Sequence, residues 1–366
     1  MVRSYDVGSF PFFGDMKKFT EGTKNFGKNL FDESANYFEK TIIDIFLDKL
    51  ASGIDVANFP QLRDMNEMFL SMLSGPERLS EGYVETAPLT LEPGAGGLPE
   101  VSAIKKNAAL ISERCGRSFI MKLCVTGPYT LASLFPYRTG EIFDRLGKAL
   151  SGVIERNTFD EKAARVGIVS VDEPIFGLVD DPLIDRGSSG RQNLSKAWDE
   201  IFRSAKARKV ETCLHLHSTS DGLFWEVEHL DIVESHVSDP IYDLRATKSR
   251  LEKKDKFLKA SACVADFDEL IRKSIAEASG EGLTDLALNE AVGETWKKLH
   301  GGTIDSERFL ETSDAMRRRI DAIVNRFGVE RVPYAGPECG LGGFPSYKSA
   351  IECLRRVSLA ARSFEG

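Results

Sequence analysis

The stretch Glu211-Thr212-Cys213-Leu214-His215-Leu216-His217 carries three metal-competent side chains, one at every second position. It also reads as a β-strand, so Cys213, His215 and His217 project from one face. Two imidazoles, or an imidazole and a thiolate, can then meet a single ion. Zinc accepts both donor types, and a catalytic site needs only three or four of them in tetrahedral array. The competing reading is a buried strand with an inward cysteine and hydrogen-bonded histidines.

Other polar residues fall where apolar runs end. Leu230 to Val237 reads as a further strand; Glu234 can supply a hard oxygen ligand, and His236 lies on the same face or behind the ligands. Asp172-Glu173-Pro174 follows the apolar run Val166 to Val171 and could hold an ammonium group or a cation. Near the N-terminus, Gly8 permits close backbone approach and Ser9 adds a hydroxyl and an amide, a combination suited either to a small anion or to an ordinary turn. Gln61 follows the apolar segment 53–58. Cys339 stands among glycines in Gly336-Pro337-Glu338-Cys339-Gly340-Leu341.

These residues need a scaffold that gathers strand ends. Strand candidates recur at 53–58, 119–125, 166–171, 210–217, 230–237, 257–264 and 331–335, with the Asp6–Pro11 region preceding them. Helical spacing fills much of 12–52, then 99–113, 141–154, 194–207, 267–278, 307–327 and the segment from Tyr347 onward. Turn-rich residues 83–98 read as a loop over a rim, and the long mixed connection 280–306 as a rim insertion. About eight strands alternating with helices predict a single (β/α)8 TIM barrel over residues 1–366, with an N-terminal strand and rim insertions. A doubly wound sheet is the alternative, weakened by the lack of a dinucleotide-binding glycine fingerprint.

Composition narrows the function. With 366 residues, 42% hydrophobic, 28% charged and a formal net charge of -8, the chain has the balance of an acidic soluble protein rather than a nucleic-acid binder. Six cysteines without a C-x-x-C pair point to reduced thiols rather than a disulfide framework. The chain has no signal-like apolar run at its start and no stretch of about 18 uninterrupted apolar residues. The expectation is a cytoplasmic protein with no membrane and no nucleic-acid partner.

Taken in order, Gly8-Ser9-Phe10-Pro11, Thr126-Gly127-Pro128, Asp172-Glu173-Pro174, His215-x-His217, Glu234 and Gly336-Pro337-Glu338-Cys339-Gly340-Leu341 resemble the C-terminal catalytic half of cobalamin-independent methionine synthases, especially the short archaeal-type proteins. The resemblance spans nearly the whole chain. It implies zinc-dependent methyl transfer to homocysteine sulfur, with Zn2+ held at His215, His217, Glu234 and Cys339. It also assigns Ser9 to the amino-acid carboxylate, Asp172 to the ammonium and Gln61 to a substrate-contacting position that is acidic in the family. His217 departs from the pattern, because an imidazole replaces the expected thiolate, and Cys213 is the alternative ligand.

Two further departures bear on the methyl donor. The region Cys263-Val264-Ala265-Asp266 lacks the family's downstream histidine, and the chain lacks the related N-terminal domain of the folate-using enzymes. Both favour a methylated corrinoid protein as donor. The alternatives are alkyl transfer to coenzyme M or another thiol, a barrel-type decarboxylase, and a non-enzymatic corrinoid-partner protein.

Overall fold

The computed structural model describes residues 1–29, 31–279 and 284–362. In chain order, the elements begin with β1 (Arg3–Ser4), α1 (Met16–Asn25), α2 (Glu33–Ala51), β2 (Val56–Asn58), α3 (Glu67–Leu70), β3 (Leu73–Leu79) and β4 (Gly82–Leu91). They continue with α4 (Pro99–Lys106), α5 (Ala108–Cys115), β5 (Phe119–Thr126), α6 (Pro128–Ala132), α7 (Glu141–Asn157), β6 (Ala164–Glu173), α8 (Ser189–Lys206) and β7 (Glu211–Leu216). The last third contains β8 (Ile232–Glu234), α9 (Arg245–Lys254), β9 (Phe257–Cys263), α10 (Phe267–Ser279), α11 (Asp285–His300), α12 (Ser313–Phe327), β10 (Tyr334–Pro337) and α13 (Tyr347–Arg362).

Eight of these strands form one parallel sheet in the order β1-β10-β9-β8-β7-β6-β5-β2. A parallel bridge between Tyr5 and Val56 links its two edges. Ser4 reinforces the junction, since its backbone N–H and its hydroxyl both donate to Asp55 at 2.8 Å. The architecture is the expected (β/α)8 barrel, with extra helices and an added hairpin.

The helices form where caps and apolar stripes agree. Ser188 accepts from the Arg191 N–H to start α8, Thr312 from Ala315 to start α12, and Asp32 from Ala35 to start α2. Along α7, Ile142, Phe143, Leu146, Leu150, Val153 and Ile154 turn one buried face toward the sheet and its neighbours. The predicted helix 99–113 is two helices that meet at Asn107, whose side chain donates to the Ala103 carbonyl at 2.9 Å.

Most of β4 lies inside the stretch 83–98 read as a loop, and it pairs antiparallel with β3 as a separate two-stranded ribbon. In the stretch 280–306, residues 280–283 lie outside the described residues, and α11 occupies 285–300. Inside the barrel, Tyr5, Val56, Ile168, Cys213, Ile232 and Tyr334 form an apolar layer. Lys122, Glu234 and Lys259 are also fully buried in the barrel. Among the described residues, no helix is long and apolar enough to cross a membrane.

Candidate metal centre

Parallel pairing brings the ends of β6, β7 and β8 level. Asp172 is in register with His215, and His215 with Glu234. Alternation carries the inward face of β7 from Cys213 through His215 to His217, and that of β8 from Ile232 through Glu234 to His236. Two histidines from one strand end therefore confront a third from the next. The ring centroids of His217 and His236 are 4.1 Å apart, and those of His215 and His217 are 5.3 Å apart.

The fourth member comes from across the rim. Cys339 follows β10, and its Sγ lies 3.5 Å from His217 Nε2. Donor atoms of His215, His217, His236 and Cys339 all lie within 4.8 Å of one another. His215 is buried, and the other three are partly exposed. Burial opposes ionisation of Cys339, but the three imidazoles outweigh it and hold the thiol well below its ordinary range. Burial likewise opposes charge on His215, yet Cys339 and Glu234 push its pKa up to about 10.

This donor set fits a metal ion. Both ring nitrogens of His215 and Nε2 of His236 are buried without a hydrogen-bond partner. Buried polar groups are rarely left so, and convergence on a low-pKa sulfur gives three nitrogens and one thiolate, a set that suits tetrahedral zinc. A second trio, Asp199, Glu228 and His229, is more open, and its histidine is already engaged with Asp199 at 3.0 Å.

Glu234 lies inward of the four-residue cluster. Its Oε1 is 3.0 Å from His215 Nδ1, an ion-pair distance without the alignment of a hydrogen bond. The Lys259 and Lys122 ammonium groups lie 3.3 and 3.7 Å from the carboxylate, and Tyr5 donates its hydroxyl proton to it. Burial works against the charge, but the two lysines and His215 hold Glu234 well below the usual carboxylate range. Cys213 stays in the apolar layer, 3.7 Å from the Tyr5 hydroxyl. Burial, then the charge on Glu234, pushes its thiol up, and it is not one of the four clustered donors.

Backbone contacts link Ser9 and Gln61 to the loop that follows β10, and Asp172 lies in register with His215. The Ser9 carbonyl accepts from the Leu341 N–H at 2.8 Å, and Ser9 Oγ accepts from Gly342 at 3.3 Å. The Ser9 loop is thereby joined to the loop that carries Cys339. It is also bridged to Gln61, which is nearly buried. Buried Lys49 fixes the base of the loop, donating to Asp6 at 2.6 Å and to the carbonyls of Gly8 and Asn58. Asp172 accepts from Ser170 at 3.0 Å and from the Cys124 thiol, so its carboxylate is already oriented.

Glu338 has a role that its neighbours in sequence do not advertise. Its two oxygens accept from the backbone N–H groups of Val237 and Ala265 at 2.8 and 2.9 Å, pinning the Cys339 loop to the ends of β8 and β9. It thus sets the spacing between Cys339 and His236. The sequence signal was an acidic residue immediately before a cysteine in a glycine-rich stretch, but the backbone donors it accepts from are distant in the chain.

No family model matches this sequence. A search of curated proteins likewise found no match. Solved structures do match. A B12-independent methionine synthase from Shewanella sp. W3-18-1, in complex with selenomethionine, superposes with a TM-score of 0.58 at 13% identity, covering 100% of this chain and 98% of that one. A putative vitamin-B12-independent methionine synthase from Listeria monocytogenes gives a TM-score of 0.59 at 15% identity, covering 100% and 99%. The fold resembles that of B12-independent methionine synthases. At this identity the likeness speaks for the fold over its full length.

Proposed function

We propose that this chain is a zinc-dependent methyltransferase that methylates the sulfur of homocysteine to form methionine. The observation that carries the reading is the convergence of His215, His217, His236 and Cys339 at one barrel rim, with their buried nitrogens otherwise unpaired. One of the similar structures is a B12-independent methionine synthase in complex with selenomethionine, and another is a putative B12-independent methionine synthase. In this reading His236 completes the set with His215, His217 and Cys339, and Glu234 supports His215 from within the barrel.

Bound zinc would supply the Lewis acidity that keeps a thiol deprotonated near neutral pH. The chain's own residues do the rest. Ser9 and the neighbouring amides receive the amino-acid carboxylate, and Asp172, its carboxylate already oriented, receives the ammonium. Gln61 offers a hydrogen bond but no charge. These contacts would fix the sulfur for in-line attack on an already activated methyl group of a methylated corrinoid protein, the proposed donor, with the S–CH3 bond forming as the Co–CH3 bond breaks to leave the corrinoid as cob(I)alamin.

Zinc-loaded protein incubated with homocysteine and methylcobalamin or a methylated corrinoid protein should yield methionine. Absence of methionine with every donor would sink the reaction, as would undiminished turnover by Cys339→Ala. Neutral Gln61 also leaves room for a second reading, in which coenzyme M or another thiol is the acceptor. Faster thioether formation on coenzyme M than on homocysteine would select that alternative.

A further inference from the structure

The crossover from β7 to β8 differs from every other strand-to-strand connection in the barrel. The others each contain at least one α-helix, whereas residues 217–231 contain only a 3-10 turn at Leu223–Glu226. With no helix covering this flank, a groove of about 930 Å3 remains between α8 and α9. That volume lies within the range of small-molecule sites.

The groove is strongly cationic in a chain whose formal net charge is -8. Arg186, Arg191, Lys196, Arg250 and Lys254 line it, against a single lining carboxylate, Glu226. Arg191 is neutralised by a two-pronged contact with Asp221 at 2.6 and 2.7 Å. Among the described residues, the side chains of Arg186, Lys196 and Lys254 form no ion pair or hydrogen bond, although Arg186 adds its charge to the field at Asp221, and Arg250 only stacks toward the Trp225 ring, 5.8 Å from its centroid. A solvated basic face accounts for scattered lysines on a convex helix. It does not account for unpaired cations drawn from a loop and two separate helices onto one concave surface, where like charges repel and the field is focused.

We propose that the α8–α9 groove is a binding site for a small polyanion carrying closely spaced phosphate groups, separate from the metal centre. Guanidinium groups from Arg186 and Arg250 suit planar, two-pronged phosphate contacts, and Lys196 and Lys254 add point charges. Ser188, Ser195 and Ser220 line the same space, the first and last with their hydroxyls already engaged by the protein. None of the four clustered metal donors lines the groove, so the site stands or falls independently of the methyltransferase reading.

The test is calorimetric titration of the full chain with inorganic tripolyphosphate at roughly physiological ionic strength. Saturable one-to-one binding is expected, weakened by about tenfold or more in Lys196→Ala/Arg250→Ala, which loses two charge-assisted contacts. The same variant should keep wild-type metal content and thermal midpoint, showing that the loss is local. Non-saturable binding, or equal affinity in the variant, would overturn the proposal. So would a penta-glutamate peptide that binds as tightly as tripolyphosphate, because the groove would then recognise acidic chains rather than phosphate.

Discussion

At the scale of single residues, the informative pair is Glu234 and His236. Strand alternation puts both on one face, but it does not give the height at which each side chain finds its partners. That height depends on how neighbouring strands are staggered around the barrel. Register sets Glu234 level with His215, where Lys122 from β5 and Lys259 from β9 claim its carboxylate. His236, one step further along, reaches the plane of His217 and Cys339. The sequence pointed to His215-x-His217 and Cys339 as candidate metal donors, but the two lysines that hold Glu234 inward come from remote strands and left no local signal. The same reasoning separates Cys213, two residues before His215 and therefore one layer deeper. Substitution should resolve these roles. His236→Ala and Cys339→Ala should each lose stoichiometric zinc, and in cobalt-loaded protein at saturating metal the sulfur-to-cobalt charge-transfer band should persist in His236→Ala, which keeps the thiolate, and vanish in Cys339→Ala. Glu234→Gln should retain that band while zinc affinity falls by about 10–100-fold, the usual cost of altering a group behind a metal-bound histidine. A loss of affinity in Glu234→Gln as complete as in Cys339→Ala would instead make Glu234 a ligand.

At the scale of elements, the barrel strands were readable because parallel strands covered on both sides are continuous apolar runs, as in β5, β6 and β7. The β3–β4 ribbon was not, because much of it is exposed and its sequence includes Gly75, Pro76 and Pro88, residues that usually mark turns. Two connections make specific predictions. A Cβ added to Gly340 would sit 2.1 Å from Ser9 Oγ and 2.9 Å from the Ser9 amide. Gly340→Ala should therefore push the Ser9 loop away from the Cys339 loop, lowering kcat/KM for homocysteine by about 10–100-fold, as expected for misplacement on the scale of 1 Å. Zinc content should be unchanged. The second connection is the helix-free crossover, where buried Lys256 donates to the carbonyls of Val227 and Leu230 at 2.6 and 2.7 Å. Burial pushes its pKa down from 10.5 to about 8. Between those values the unfolded chain binds the extra proton, so this group's contribution to stability rises as pH increases from 8 to 10.5. Urea midpoints should show wild type gaining on Lys256→Met across that window; a constant difference would contradict the assignment.

At the scale of the whole molecule, the proposed metal site would work as a clasp. His215 and His217 belong to the β7 end, His236 to the β8 end and Cys339 to the β10 end, while Glu338 ties the same loop to β8 and β9. An ion held there would join strand ends that the sheet otherwise links only through β9 in the order β10-β9-β8-β7. It would also satisfy one ring nitrogen of His215 and Nε2 of His236, which have no hydrogen-bond partner. Binding to the folded state alone must then raise stability by mass action, by about 4 kcal/mol at a free ion concentration roughly 1,000 times Kd. For a large domain, about 2 °C per kcal/mol is a reasonable scale, giving a rise in Tm of roughly 8 °C on adding zinc to chelator-treated protein. The rise should shrink sharply in His236→Ala and persist in Cys213→Ala, since Cys213 lies in the apolar layer outside the cluster. Calorimetric scans with and without chelator decide it: an equal zinc response in wild type and His236→Ala would mean that the ion, if bound, is not held by the β8 end.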